Sequence, residues 1–120
     1  MSRLKPIPRD EMTDESQRAY YDKIMSRENF KDIPKGTPLS GPFHAYQHSP
    51  NFASKMAEVT AYLRHDGLLE KRLVELATIT VGRFWSAEVV FASHGPAAVR
   101  QGIDSDVVEA IRHKKTPEFD

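Results

Sequence analysis

Glu75 is the one ionisable side chain between Leu73 and Gly82, and His94 is the one between Val89 and Val99. The flanking stretches, LVELATITVG and VVFASHGPAAV, are apolar or small throughout. Such surroundings predict burial, and a buried unpaired charge is costly, so each residue needs a partner. The simplest partner for each is the other. A glutamate–histidine pair in an apolar cavity can pass a proton, with His94 exchanging it and Glu75 stabilising the charged ring. The structural alternative is a pair that does no chemistry and only fixes the packing of two core helices.

On a helix starting at Ala87, residues Ala87, Val90, Phe91, His94 and Ala98 share one face, so His94 points where the apolar residues point. Glu88 lies on another face of the first turn, where it compensates the helix dipole. His44 and His48 form HxxxH, a spacing that places two imidazoles on one helical face, as zinc requires. No glutamate lies between them, no third ligand is near in sequence, and Pro50 follows closely. No metal or other cofactor is therefore expected, and metal chemistry through His44, His48, His94 and a glutamate is the weakest reading. Arg72 and Arg83 are candidates to anchor a substrate carboxylate, and Phe91 and Trp85 are the other candidate substrate-binding residues. Gly82, deep in a helix, predicts close helix–helix approach, including approach at a subunit contact.

The remaining residues bound the function classes. The chain has 120 residues, enough for one domain with a modest core, and 17 basic residues balance 17 acidic ones. With no net field and only RHKK (Arg112 to Lys115) as a cluster, nothing points to nucleic acid or an anionic membrane. That cluster suits a helix C-terminus. No apolar run reaches the roughly 18 residues that span a bilayer, and MSRLKPIPRDEM lacks the apolar core of a signal peptide. The expectation is a cytoplasmic protein.

The elements that must position these residues read as helices. Thr13 caps a first helix carrying Tyr20, Tyr21, Ile24 and Met25 and ending near Asn29. Residues 31–42 hold Pro34, Gly36, Pro38, Gly41 and Pro42 and form a long loop, of the kind that covers pockets. Ser49-Pro50 starts a helix with a Phe52, Met56, Val59, Leu63 stripe, stopped by Gly67. A helix over about 70–85 follows. Ser86 caps the next, which passes Pro96 with a kink or a tolerated break and ends at Gly102. Asp104 caps a last helix carrying Val107, Val108 and Ile111. No stretch alternates as a strand does, so the fold class is all-α, with about five or six helices. The two central helices are apolar all round and need cover from another chain or a further stretch of this one.

From His48 onward, HSPNFASKMAEVTAYLR, EKRLVELATITVGRFWSAEVVFASHGPAAVRQGI and SDVVEAIRHKK occur in an order that resembles the carboxymuconolactone decarboxylase family, which includes the alkylhydroperoxidase D-like proteins. The resemblance implies an alkylhydroperoxidase D-like helical bundle over 1–120, with a family core at 48–115 after an N-terminal helix and loop at 1–42. It also implies a homo-oligomer, a trimer or a multiple of three. In the alkylhydroperoxidase branch a glutamate and a histidine relay protons to two cysteines. The glutamate falls on Glu75 and the histidine on His94, while the cysteine positions fall on Ala87 and Val90 and a second histidine position on Val89. In the decarboxylase branch polar residues precede the histidine where this chain has Val90 and Phe91. Family members continue for another helix or two past TPEFD, which implies a missing C-terminal part or a second chain that supplies it.

The expectation is an enzyme that uses Glu75 and His94 for decarboxylation or proton transfer on a small organic acid or lactone. Its rival is a non-catalytic oligomeric binding or scaffold protein. One outcome follows from composition alone, because the chain has no cysteine. The protein should show no hydroperoxide reduction coupled to a dithiol donor, and mass spectrometry should find no adduct with thiol-alkylating reagents. Peroxide turnover that survives removal of metals would contradict this.

Overall fold

The structure, a computed structural model, describes residues 3–119. All regular elements among them are helical: α1 (Glu15–Met25), α2 (Gly41–Gln47), α3 (Pro50–Ala61), α4 (Lys71–Phe84), α5 (Glu88–Arg100) and α6 (Ser105–Arg112). Short 3₁₀ turns lie at Arg9–Glu11 and Glu28–Phe30, and a π-helical turn at Tyr62–Asp66. None of these helices is long and apolar enough to cross a membrane. The chain divides into two compact units, Met1–Thr60 and Ala61–Asp120.

In the first unit, Met12, Tyr20, Tyr21, Ile24, Leu39 and Ala53 form the core. The cap of α1 is Asp14 rather than Thr13: its carboxylate accepts the Ser16 N–H at 2.7 Å and the Ser16 hydroxyl at 2.7 Å. Those bonds hold the Asp14 carboxyl below its ordinary range. The helix stops at Met25, short of Asn29, because Arg27 turns to an extended conformation before the separate turn at Glu28–Phe30. The Pro/Gly segment is pinned rather than free. The Tyr21 hydroxyl accepts the Gly36 N–H and donates to the Thr37 carbonyl, both at 3.0 Å, and Leu39 enters the core. The loop also ends earlier than its composition predicts. Gly41 and Pro42 belong to the first turn of α2, where proline's missing N–H is tolerated.

The face of α3 is a second correction. The helix buries Ala53 and Ala57, while Phe52 and Val59 of the expected stripe are more than half exposed. The core is already filled by two tyrosines and an isoleucine of α1, which leaves room for methyl groups but not for larger side chains.

In the second unit, α4 and α5 form an antiparallel hairpin closed by α6. Its core is Ile79, Phe91, Ala98, Ile103, Val107, Val108 and Ile111. Glu75, Ile79 and Gly82 are buried at helical spacing on α4, and Phe91, Gly95 and Ala98 on α5, which continues through Pro96 to Arg100. Thr78 and Thr80 satisfy their hydroxyls on the Val74 and Leu76 carbonyls, so neither interrupts α4. Gly82 lets the hairpin close: a Cβ there would sit 3.0 Å from Val90 Cγ1. Asp104 caps α6 by accepting the Asp106 N–H at 2.7 Å.

All three helices of this unit end in the same way. After α4, Ala87 and Ser86 N–H groups donate to the Gly82 and Arg83 carbonyls; after α5, Ile103 and Gly102 donate to Ala98 and Val99; after α6, Lys115 and Lys114 donate to Ala110 and Ile111. Each is a Schellman pair, which requires a left-handed residue just past the helix. Gly102 (φ +92°) takes that conformation without strain, but Ser86 (φ +54°) and Lys114 (φ +55°) carry a Cβ. Ser86 is therefore the stop of α4 and not the cap of α5, whose N-cap position is Ala87. Ser86→Gly and Lys114→Gly should each stabilise the protein by about 0.5–1 kcal/mol, since the relieved strain outweighs the extra freedom of glycine when unfolded. Thermal and denaturant unfolding would show this, and Gly102→Ala should shift the midpoint the other way.

Candidate functional site

The buried stripe of α4 faces α5, and the hairpin register places Glu75 opposite His94. Glu75 Oε2 lies 2.7 Å from His94 Nδ1. The Glu75 side chain is 11% exposed and that of His94 21%, so the pair is close to the surface yet largely removed from water. The expected meeting of the two residues is thus present, at a charge-assisted hydrogen-bond distance.

A third residue joins them. Arg64, on the π-helical turn Tyr62–Asp66, brings Nη2 to 3.3 Å from His94 Nε2 and Nη1 to 3.5 Å from Glu75 Oε1. A guanidinium only donates. His94 Nε2 must therefore accept, the ring proton must sit on Nδ1, and Nδ1–H donates to Glu75. Arg64 and Glu75 together select one tautomer and one ring orientation. Glu75 is shared between the two: Oε1 faces the Arg64 guanidinium and Oε2 accepts from the His94 ring. Nothing local in the sequence marks Arg64. It stands in YLRHDG, among exposed residues, and meets Glu75 and His94 only because the π-helical turn and the hairpin bring three separate segments together.

The other candidate residues are placed elsewhere. Arg72 pairs with Glu70 at 2.8 Å on the surface. Arg83 donates from Nε to the Arg112 carbonyl at 2.6 Å and pairs with Glu88 at 3.3 Å, so it ties α4 to the end of α6. Neither contacts the Glu75–His94 pair, and the guanidinium that does is Arg64. Phe91 is a core residue with the Arg112 guanidinium 5.1 Å from its ring centroid. Trp85 is 75% exposed and packs edge-on to Phe84. It borders an open apolar depression of ≈ 550 Å³ with Ala77, Val81, Ala87 and Val90, to which Glu75 and His94 do not contribute.

In the first unit, His44 and His48 stack edge-to-face at 5.6 Å. His44 is buried with no partner on Nε2 among the described residues, and His48 Nε2 faces the Lys5 carbonyl at 3.3 Å. Among the described residues, no group of three histidine, aspartate or glutamate side chains is placed to hold a metal ion.

Comparison with known proteins yields no matching family model, no similar curated protein and no similar solved structure. What the arrangement can do rests on its geometry: a histidine with one nitrogen fixed by a carboxylate, and the other facing a displaceable cation.

The tautomer is directly measurable. Ring nitrogen NMR shifts of neutral His94 should report the Nδ1–H form, the minor tautomer of free histidine. Glu75→Ala should return the ring to the Nε2–H form. His94→Ala, which leaves Glu75 without its closest partner, should destabilise the fold by about 1–3 kcal/mol. An Nε2–H ring in the parent protein would contradict the assignment of Arg64 as donor.

Proposed function

We propose that this chain is an acid–base catalyst of the carboxymuconolactone decarboxylase type, with an alkylhydroperoxidase D-like fold, acting on a small organic acid or lactone. The observation that carries the reading is the two-sided hold on His94. A carboxylate fixes Nδ1 at 2.7 Å, while Nε2 faces the guanidinium of Arg64, whose side chain is 38% exposed. A substrate carboxylate or lactone oxygen would draw Arg64 toward itself by charge-assisted hydrogen bonds. That movement uncovers the Nε2 lone pair beside the bound substrate.

Two reactions then follow the same proton path. In proton transfer, Nε2 takes the proton from the carbon next to the carbonyl, the C–H electron pair passes into the enolate, and Arg64 stabilises its oxygen. The proton returns from the imidazolium to a neighbouring carbon. In decarboxylation, Nε2 first takes the proton of the substrate carboxyl group, the C–C bond breaks and carbon dioxide leaves, and the electron pair left on carbon takes that same proton back from the His94 imidazolium. Glu75 supports the charged ring in both. Arg64 takes the anchoring role that the sequence suggests for Arg72 or Arg83.

The proposal includes a cytoplasmic homo-oligomer, a trimer or a multiple of three. Its support is the apolar surface left open on the hairpin: Val81, Trp85 and Val89 are each more than half exposed.

One observation favours the rival reading of a non-catalytic oligomeric scaffold. The two depressions along α4 are lined by other residues, and Glu75 and His94 open onto neither. In that reading Arg64, Glu75 and His94 form a polar lock on the hairpin.

Solvent deuterium exchange into a panel of small carbonyl acids and lactones separates the two, because it needs no knowledge of the full reaction. The catalyst reading expects exchange that falls roughly 100-fold or more in His94→Gln and that loses both apparent affinity and rate in Arg64→Met. Exchange absent with every compound, or undiminished in His94→Gln, would leave the scaffold.

A further inference from the structure

A second concave surface of this unit is unrelated to Glu75 and His94. Leu76, Thr80 and Phe84 of α4, Ile111 of α6 and Phe119 of the segment after α6 border a groove of ≈ 630 Å³. The size lies within the range of small-molecule sites. Among the described residues its charged lining is one-signed: Arg83, Lys114 and Lys115 contribute, and no aspartate or glutamate does.

Two of the neighbouring carboxylates are already engaged, and Glu118 does not line the groove. Glu88 pairs with Arg83, and Glu109 pairs with Arg112 and His113. Among the described residues, Lys114 and Lys115 have no carboxylate partner. Their position is fixed by the backbone, since the Schellman pair at the end of α6 holds both residues in place. Two aromatic rings stand open beside these cations: Phe84 is 72% exposed and Phe119 64%.

The geometry points to a binding site for a small amphiphilic carboxylate, a medium-chain aliphatic acid, whose chain lies along Leu76, Phe84, Ile111 and Phe119 and whose carboxylate meets Lys114 and Lys115. Charge complementarity selects this occupant. An apolar chain alone would not use the ammonium groups, and a cation would be repelled. A second copy of the chain docked through the same face about a two-fold axis would bring like charges together. Arg83 is partly committed to the Arg112 carbonyl and to Glu88, so it contributes field rather than a direct contact.

The test is a backbone amide NMR titration of the parent protein with decanoate below its micelle concentration, with decanol as the uncharged match. Decanoate should shift the amides of Leu76, Thr80, Ile111 and Phe119 saturably, at least tenfold more tightly than decanol. A Lys114→Asn/Lys115→Gln double variant keeps a residue that tolerates the left-handed conformation at position 114. It should lose that preference and bind both ligands alike. Thr80→Trp, at an exposed position of α4, should fill the groove and weaken both. Equal affinity for decanoate and decanol in the parent would overturn the proposal, as would shifts centred on Val81, Trp85 and Val90, or no saturable shift. The readout is binding alone, so it stands or falls independently of turnover at His94.

Discussion

The second unit depends on the close approach of α4 and α5 at Gly82. The absence of a side chain there lets Val90 occupy the space a Cβ would take. The hairpin so formed sets Glu75 and His94 at 2.7 Å, across 19 residues of chain. A larger residue at Gly82 would spread the helices, and a carboxylate in an apolar face would then lack its partner. Packing and electrostatics are thus one constraint here: the backbone must close before the polar pair can be satisfied.

The same hairpin explains why Arg64 matters. Glu75 alone already holds the ring proton on Nδ1, but it would leave Nε2 open. The guanidinium on Nε2 reinforces that tautomer and leaves the base masked until something competes for Arg64. A π-helical turn supplies the arginine, consistent with the tendency of such turns to occur where a side chain must be aimed off the regular helical register.

Three Schellman endings give the second unit its short connections, and two of them place serine and lysine in the conformation glycine prefers. At Lys114 the strained backbone also delivers adjacent ammonium groups to the rim of an apolar groove. The faces of α4 thereby divide: Glu75, Ile79 and Gly82 inward, Ala77 and Val81 toward one depression, Leu76, Thr80 and Arg83 toward the other. A helix apolar on nearly every side has one buried face and two open ones.

Local signals determined much of this protein. Proline and glycine positions, capping residues and the 3.6-residue period specify all-helical structure, the bounds of α4, the cap of α6 and its buried Val107, Val108 and Ile111. The isolation of Glu75 and His94 among apolar residues pointed to their pairing, because a lone charge there is untenable. Tertiary structure decided what local signals could not. Which of two adjacent stripes of α3 faces inward depended on how much space α1 left, so the alanines won over Phe52 and Val59. Whether Ser86 starts one helix or ends another depended on the Arg83 carbonyl, which accepts its N–H, and on the Gly82 carbonyl, which accepts that of Ala87. The partner of the Glu75–His94 pair lay in a distant turn, and Arg72 and Arg83 were taken by Glu70, Glu88 and the end of α6. Charge partners are set by three-dimensional proximity, which spacing along the chain does not encode.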